Sequence, residues 1–117
     1  MTPKPGEIYL ETDDGSGERH SAIVVSHEAF NRGQYVVAVP LTSRKFESRA
    51  GLPNCVPLYA GQYGRTRNCV AQAEMVSVYD KADLELDLGP TDTLDDVAMR
   101  SLIHAIGYVL SADCEPA

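Results

Sequence analysis

The stretch from Val36 to Ser43, Val-Val-Ala-Val-Pro-Leu-Thr-Ser, constrains the fold of this chain more than any other. A short unbroken apolar run rich in β-branched residues fits a strand covered on both faces, and such a strand is central in its sheet. A proline inside a central strand removes a ladder hydrogen bond, so Pro40 is expected to mark where regular pairing stops and the chain turns toward the surface. Thr42 and Ser43 then stand at the strand's mouth, followed by Arg44, Lys45 and Phe46. Two hydroxyls, two cations and an aromatic ring in succession make a rim suited to a phosphate-bearing ligand.

The neighbouring segments supply the rest of a sheet. Gly6 to Glu11 alternates polar and apolar residues, with Ile8 and Leu10 on one face, and His20 to Ser26 is nearly continuous apolar. Both read as strands. Thr12 to Glu18 between them is a turn-rich loop, and His27 to Gly33 is a single helical turn or loop with Asn31 and Gly33 as chain-reversal residues. Asn54 to Ala60 reads as a strand that Pro57 confines to the neighbourhood of an edge. Gly61 to Arg67 is a loop carrying two arginines. Cys69 to Val78 is a strand in which Val70, Met75 and Val78 do not share one parity, so a bulge or bend is expected near Ala73.

The last element is a helix. Thr93 is placed to cap it, with Asp96 in the capping-box position and Asp95 and Asp96 at the positive end of the dipole. Leu94, Val97, Ala98, Leu102, Ala105, Ile106, Val109 and Leu110 fall at helical spacing, which predicts an apolar stripe lying on the sheet. Residues 1–117 therefore form one domain, mainly β with a C-terminal α-helix, in a small and strongly curved architecture.

The net charge of −7 argues at first against a polyanionic ligand, yet the charge is segregated. Between Arg32 and Ala73 there are six basic residues against one acidic residue, Glu47, whereas Lys81 to Ala117 holds two basic and eight acidic residues. Nothing near Met1 has the apolar core of a signal peptide, and the longest stretch without charge, Ala50 to Gly64, is broken by Pro, Gly and Asn, so no membrane span is expected. Three widely separated cysteines, Cys55, Cys69 and Cys114, suit a reducing compartment and a cytoplasmic location. His20, His27 and His104 lack metal-site spacing, so no metal or other cofactor is expected.

The order Gly6-Glu-Ile-Tyr-Leu10, Arg19-His-Ser-Ala-Ile-Val-Val-Ser26, Phe30-Asn-Arg32, Val37-Ala-Val-Pro-Leu-Thr-Ser43 and Val78-Tyr-Asp-Lys81 resembles the PemK/MazF toxins of bacterial type II toxin-antitoxin modules. The resemblance runs from about Gly6 to Leu110, and Val-Pro-Leu-Thr-Ser and Phe-Asn-Arg are its most specific parts. It implies an SH3-like small β-barrel, a homodimer, and a metal-independent endoribonuclease silenced by a cognate antitoxin. Its implied reaction on single-stranded RNA is attack of a 2′-hydroxyl on the adjacent phosphate, leaving a 2′,3′-cyclic phosphate and a 5′-hydroxyl.

Such a reaction needs a base, an acid and fixed donors on the phosphate oxygens. Where the family carries Arg-Pro-Ala this chain has His20-Ser21-Ala22, with Arg19 one residue earlier. Side chains alternate across a strand, so regular geometry lets only one of the two face the groove unless a bulge at Gly17 to Arg19 turns Arg19 inward. The resemblance makes His20 the proton-transfer group, Arg19 a phosphate clamp, Thr42 and Ser43 ligands of the scissile phosphate, and Glu74 the family's acidic residue. Met75 stands where the family has glutamine, and Gln72, which the resemblance places among the RNA-binding residues, stands where PemK-type members often have arginine. Arg44, Lys45, Arg49, Arg65 and Arg67 then form the RNA-binding cations, with Phe46, Tyr59 and Tyr63 available for stacking. The competing reading is a non-enzymatic gyrase inhibitor on the same scaffold, like CcdB, or a degenerate homologue that only binds its antitoxin.

Overall fold

The longest strand, β3 (Tyr35–Thr42), is the hub of the sheet. The computed structural model describes residues 2–13, 15 and 19–111. Strands β1 (Glu7–Leu10), β2 (Ser21–Val24), β3, β4 (Cys55–Leu58), β5 (Cys69–Gln72), β6 (Ser77–Asp80) and β7 (Asp92–Thr93) form one curled antiparallel sheet ordered β4-β5-β3-β2-β1-β7, with β6 also paired to β3. Among the described residues three α-helices complete it: the one-turn α1 (Glu28–Asn31) and α2 (Phe46–Arg49), and the C-terminal α3 (Asp96–Val109). Among the described residues no helix is long and apolar enough to cross a membrane.

Pro40 does not end the strand. Ala22 still pairs with it, and Leu41 and Thr42 go on to pair with Ala71 and Val70. The reason is a change of partner. Along one edge β3 pairs with β6 from Tyr35 to Ala38, and then with β5 at Leu41 and Thr42. The Val37 carbonyl faces β2, accepting from the Val25 N–H at 2.9 Å, so by alternation Pro40 faces the opposite edge, where β6 has left and β5 has not begun. The missing N–H falls in the gap. The bend expected near Ala73 is a 3-10 turn, Ala73–Met75, that carries the chain from β5 to β6. Pro57 lies in β4, at the end of the strand order as expected.

Alternation divides the apolar residues between two clusters. Ile8, Ile23, Val39, Leu41, Leu58 and Ala71 meet Leu94 and Leu102 on the α3 side. Tyr9, Ala22, Val24, Val36, Ala38 and Leu84 fill the other face. Both faces of β2 and β3 are thus covered, which is why those strands read as continuous apolar runs.

The helix differs from its sequence reading in two respects. Asp95 caps it, its Oδ1 accepting from the Ala98 N–H at 2.8 Å, while Thr93 is drawn into β7 opposite Glu7. The buried stripe is also narrower: Leu94, Leu102 and Ala105 are buried, but Val97 and Leu110 are 71% and 67% exposed. A single helix resting on a curved sheet touches it along one line only, so residues at the flank of the stripe stay outside. Of the 12–18 loop, residues 14 and 16–18 lie outside the described residues, as do Gly17 of the expected bulge and Cys114. Cys55 and Cys69 are buried free thiols.

Candidate functional site

β2, β3 and β5 bring the polar segments of the chain to one end of the sheet, around a cleft of about 640 Å³. Leu10, Ser21 and Leu41, adjacent in the β1-β2-β3 register, lie side by side at its base. Arg19 and His20 enter from the approach to β2, Thr42, Ser43 and Arg44 from the exit of β3, and Gly64 to Arg67 from the loop before β5. Among the described residues four arginines and one histidine line the cleft, and no carboxylate does.

Arg19 and His20 both line it, against the alternation expected of a strand. Regular β structure starts only at Ser21, although the His20 carbonyl still accepts from the Glu11 N–H at 2.8 Å. Alternation therefore does not bind the two residues before it. One Arg19 terminal nitrogen (Nη2) lies 3.8 Å from Glu85 Oε1, with the two side chains 43% and 28% exposed. Such a partly exposed pair contributes little to stability. It nevertheless brings one acidic residue of the C-terminal segment to the rim.

Thr42 is held by its own turn: Oγ1 accepts from the Arg44 N–H at 3.2 Å, which leaves the hydroxyl proton available to an anion. The 61–67 loop is fixed from within and without. Gly61 N–H donates to the Arg65 carbonyl and Arg65 N–H to the Gln62 carbonyl, both at 2.8 Å. Gly64 takes φ +69°, a left-handed conformation that favours glycine, while a Cβ there would make only ordinary contact with the Thr91 carbonyl oxygen at 3.6 Å. Tyr63 donates its hydroxyl to Asp95 Oδ2 at 2.7 Å, and its carbonyl accepts from Arg65 Nε at 3.3 Å. This chain runs from the cap of α3 to a cleft arginine. The Ala98 N–H first, and then the Tyr63 hydroxyl, hold the Asp95 carboxyl below its ordinary range. Cys69 also lines the cleft, buried, and burial pushes its thiol up despite nearby Arg65.

Other residues singled out from the sequence lie outside the cleft lining. Lys45 is exposed, with φ +53° at the entry to α2. Arg49 folds back, its Nη1 donating to the Arg44 carbonyl at 3.3 Å, and Phe46 packs edge-on against Tyr59. Gln72 and Glu74 stand at the far end of β5 from Cys69, where Glu74 Oε2 accepts from Asn54 Nδ2 at 2.7 Å. The β5 strand runs away from the cleft, and the 3-10 turn carries Glu74 further round. Sequence reasoning missed Ser21, Gly64 and Thr66 as lining residues. The paired glycines of Gly61-Gln-Tyr-Gly64 were the available sign that this loop makes a constrained approach.

A family model described as PemK-like, MazF-like toxin of type II toxin-antitoxin system matches residues 4–110. No curated protein matches the chain in sequence. Among solved structures, an endoribonuclease of a mycobacterial species in complex with its cognate antitoxin is 23% identical, with a TM-score of 0.75 over 97% of this chain and 99% of that one. The Mycobacterium tuberculosis toxin MazF-mt6 is 18% identical, with a TM-score of 0.72 over 90% and 96%. The MazE-MazF complex of Deinococcus radiodurans gives 22% identity and a TM-score of 0.71 over 95% and 98%. At such identities these likenesses establish the shared fold.

Proposed function

This chain belongs to the PemK-like, MazF-like toxin family of type II toxin-antitoxin systems, and from that premise we propose that it is a metal-independent endoribonuclease cutting single-stranded RNA by internal phosphotransfer. The reading rests on one observation: cations and hydroxyls from three separate segments converge on a single cleft free of carboxylates among the described residues. Arg19, Arg44, Arg65 and Arg67 neutralise the backbone and the charge that builds on the scissile phosphate. Thr42 and Ser43 donate to its oxygens. His20 takes the proton from the 2′-hydroxyl as that oxygen bonds to phosphorus and the bond to the 5′-oxygen breaks. In-line displacement sets the entering and leaving oxygens on opposite sides, so the 5′-oxygen takes its proton from water in the open cleft.

The protein acts as a homodimer that a cognate antitoxin silences. Two solved relatives are toxins in complex with antitoxins.

The test is incubation of single-stranded RNA with the protein in EDTA. Fragments ending in 2′,3′-cyclic phosphate are expected. His20→Ala should reduce cleavage by roughly 10²–10⁴-fold, the usual worth of a positioned proton-transfer group, and by more than Arg19→Ala does. Equal or reversed losses would reject the role given to His20. Binding without cleavage by the unaltered chain would favour a degenerate homologue.

A further inference from the structure

Two aromatic residues follow the lining of the cationic cleft along the chain, one from each of two segments that border it. The β4-β5 register sets Leu58 opposite Cys69, which lines the cleft, so Tyr59 is the first residue past that wall. From the other wall Phe46 follows Arg44 by two residues, and the Arg49 bond to the Arg44 carbonyl braces α2 against the same edge. The rings meet with centroids 5.8 Å apart at an interplanar angle of 76°. Phe46 is half-buried and Tyr59 is 48% exposed.

The backbone that carries the exposed ring is held firmly. The Tyr59 N–H donates to Gln62 Oε1 at 3.3 Å and its carbonyl accepts from the Gln62 N–H at 3.0 Å. The next N–H, of Ala60, donates to Asn68 Oδ1 at 2.8 Å, tying the turn to the residue before Cys69. The third nearby aromatic is committed elsewhere: the Tyr63 hydroxyl is bonded to Asp95 and its ring packs on the core.

We infer that Tyr59, propped edge-on by Phe46, is the stacking surface for one nucleobase of the RNA strand whose phosphates lie among the cleft arginines. This rests on the RNA-binding reading above and adds a base subsite to it. An aromatic face beside a row of phosphate-binding cations is the arrangement that single-stranded nucleic acid requires, because each nucleotide carries a charge to be paired and a ring to be covered. Stacking is tolerant of base identity, so the subsite fixes the register of the strand over His20 rather than its sequence.

The experiment uses the full chain and a short RNA made uncleavable by 2′-deoxy sugars, with 2-aminopurine placed at successive positions. Binding should quench fluorescence at one position. Tyr59→Phe should keep that quenching, whereas Tyr59→Ala should lose it and weaken binding by roughly 5- to 150-fold, the range of one stacked base. Removing the base at that position should weaken the unaltered protein equally and leave Tyr59→Ala unaffected. Salt-sensitive binding in which no position depends on Tyr59 overturns the base subsite alone. Absence of binding by the unaltered protein overturns the RNA reading and the subsite with it.

Discussion

Asn31 shows how one side chain separates a structural signature from a functional one. It is fully buried, and its amide nitrogen donates to the carbonyls of Pro3 at 2.9 Å and Ser26 at 2.8 Å. Its Oδ1 accepts from the Ser26 hydroxyl, which itself accepts from the Val37 N–H at 2.9 Å. One residue thus ties the N-terminal segment, the exit of β2 and the start of β3. This accounts for the Phe-Asn-Arg segment as framework, since it stands apart from the cleft lining. Asn31→Ala takes their donor from the buried Pro3 carbonyl and the part-buried Ser26 carbonyl, and leaves the Ser26 hydroxyl only the Val37 carbonyl at 3.4 Å to donate to; each lost partner costs about 1–3 kcal/mol. Denaturant unfolding should therefore show a loss of at least ~2 kcal/mol, with RNA cleavage per folded molecule unchanged.

Among the elements, α3 and the 61–67 loop carry a coupling that pattern reading could not find. The helical period identified α3, and the β-branched runs identified β2 and β3, because burial on one stripe or on both faces writes itself into hydrophobic spacing. Pro40 misled because a proline's cost depends on which edge its nitrogen faces, and that is decided by the two partners β3 exchanges. Thr93 misled because β1 recruited it into β7, a long-range pairing invisible to local capping rules. The Tyr63–Asp95 bond is of the same kind, joining residues 32 apart. Tyr63→Phe keeps the ring on the core and removes only the hydroxyl. The Asp95 pKa should then rise toward the ordinary carboxylate range, remaining depressed by the Ala98 N–H, as a carboxyl NMR titration would read. Because the folded value lies below the unfolded one, the stability this carboxylate contributes is present above the unfolded value and lost as pH falls through the folded value. The variant should lose less stability on acidification than the parent. An unchanged Asp95 titration would show that the tether carries no electrostatic coupling.

On the scale of the whole molecule, the question is how a chain of net charge −7 holds a polyanion. Exposed charges further apart than about 8 Å are largely screened at physiological ionic strength, so the total charge does not set the field inside the cleft; only the carboxylates close to it, such as Glu85 beside Arg19, act there. What acts there is the local set of four arginines, one of them already facing Glu85. Long-range attraction is weak in such a protein, so affinity must come from contact, and contact with phosphates releases counterions. Each neutralised phosphate on a single strand contributes about −0.7 to the slope of log affinity against log salt, so three or four contacts give a slope of about −2 to −3. Arg65→Gln and Arg67→Gln should each flatten that slope by about 0.7. Asp83→Asn, in the acidic segment and outside the cleft lining, should leave it unchanged. Filter-binding titrations over a range of salt read all three. If the arginine variants keep the parental slope while Asp83→Asn alters it, the strand lies over the acidic segment, and the cleft then serves some other anion.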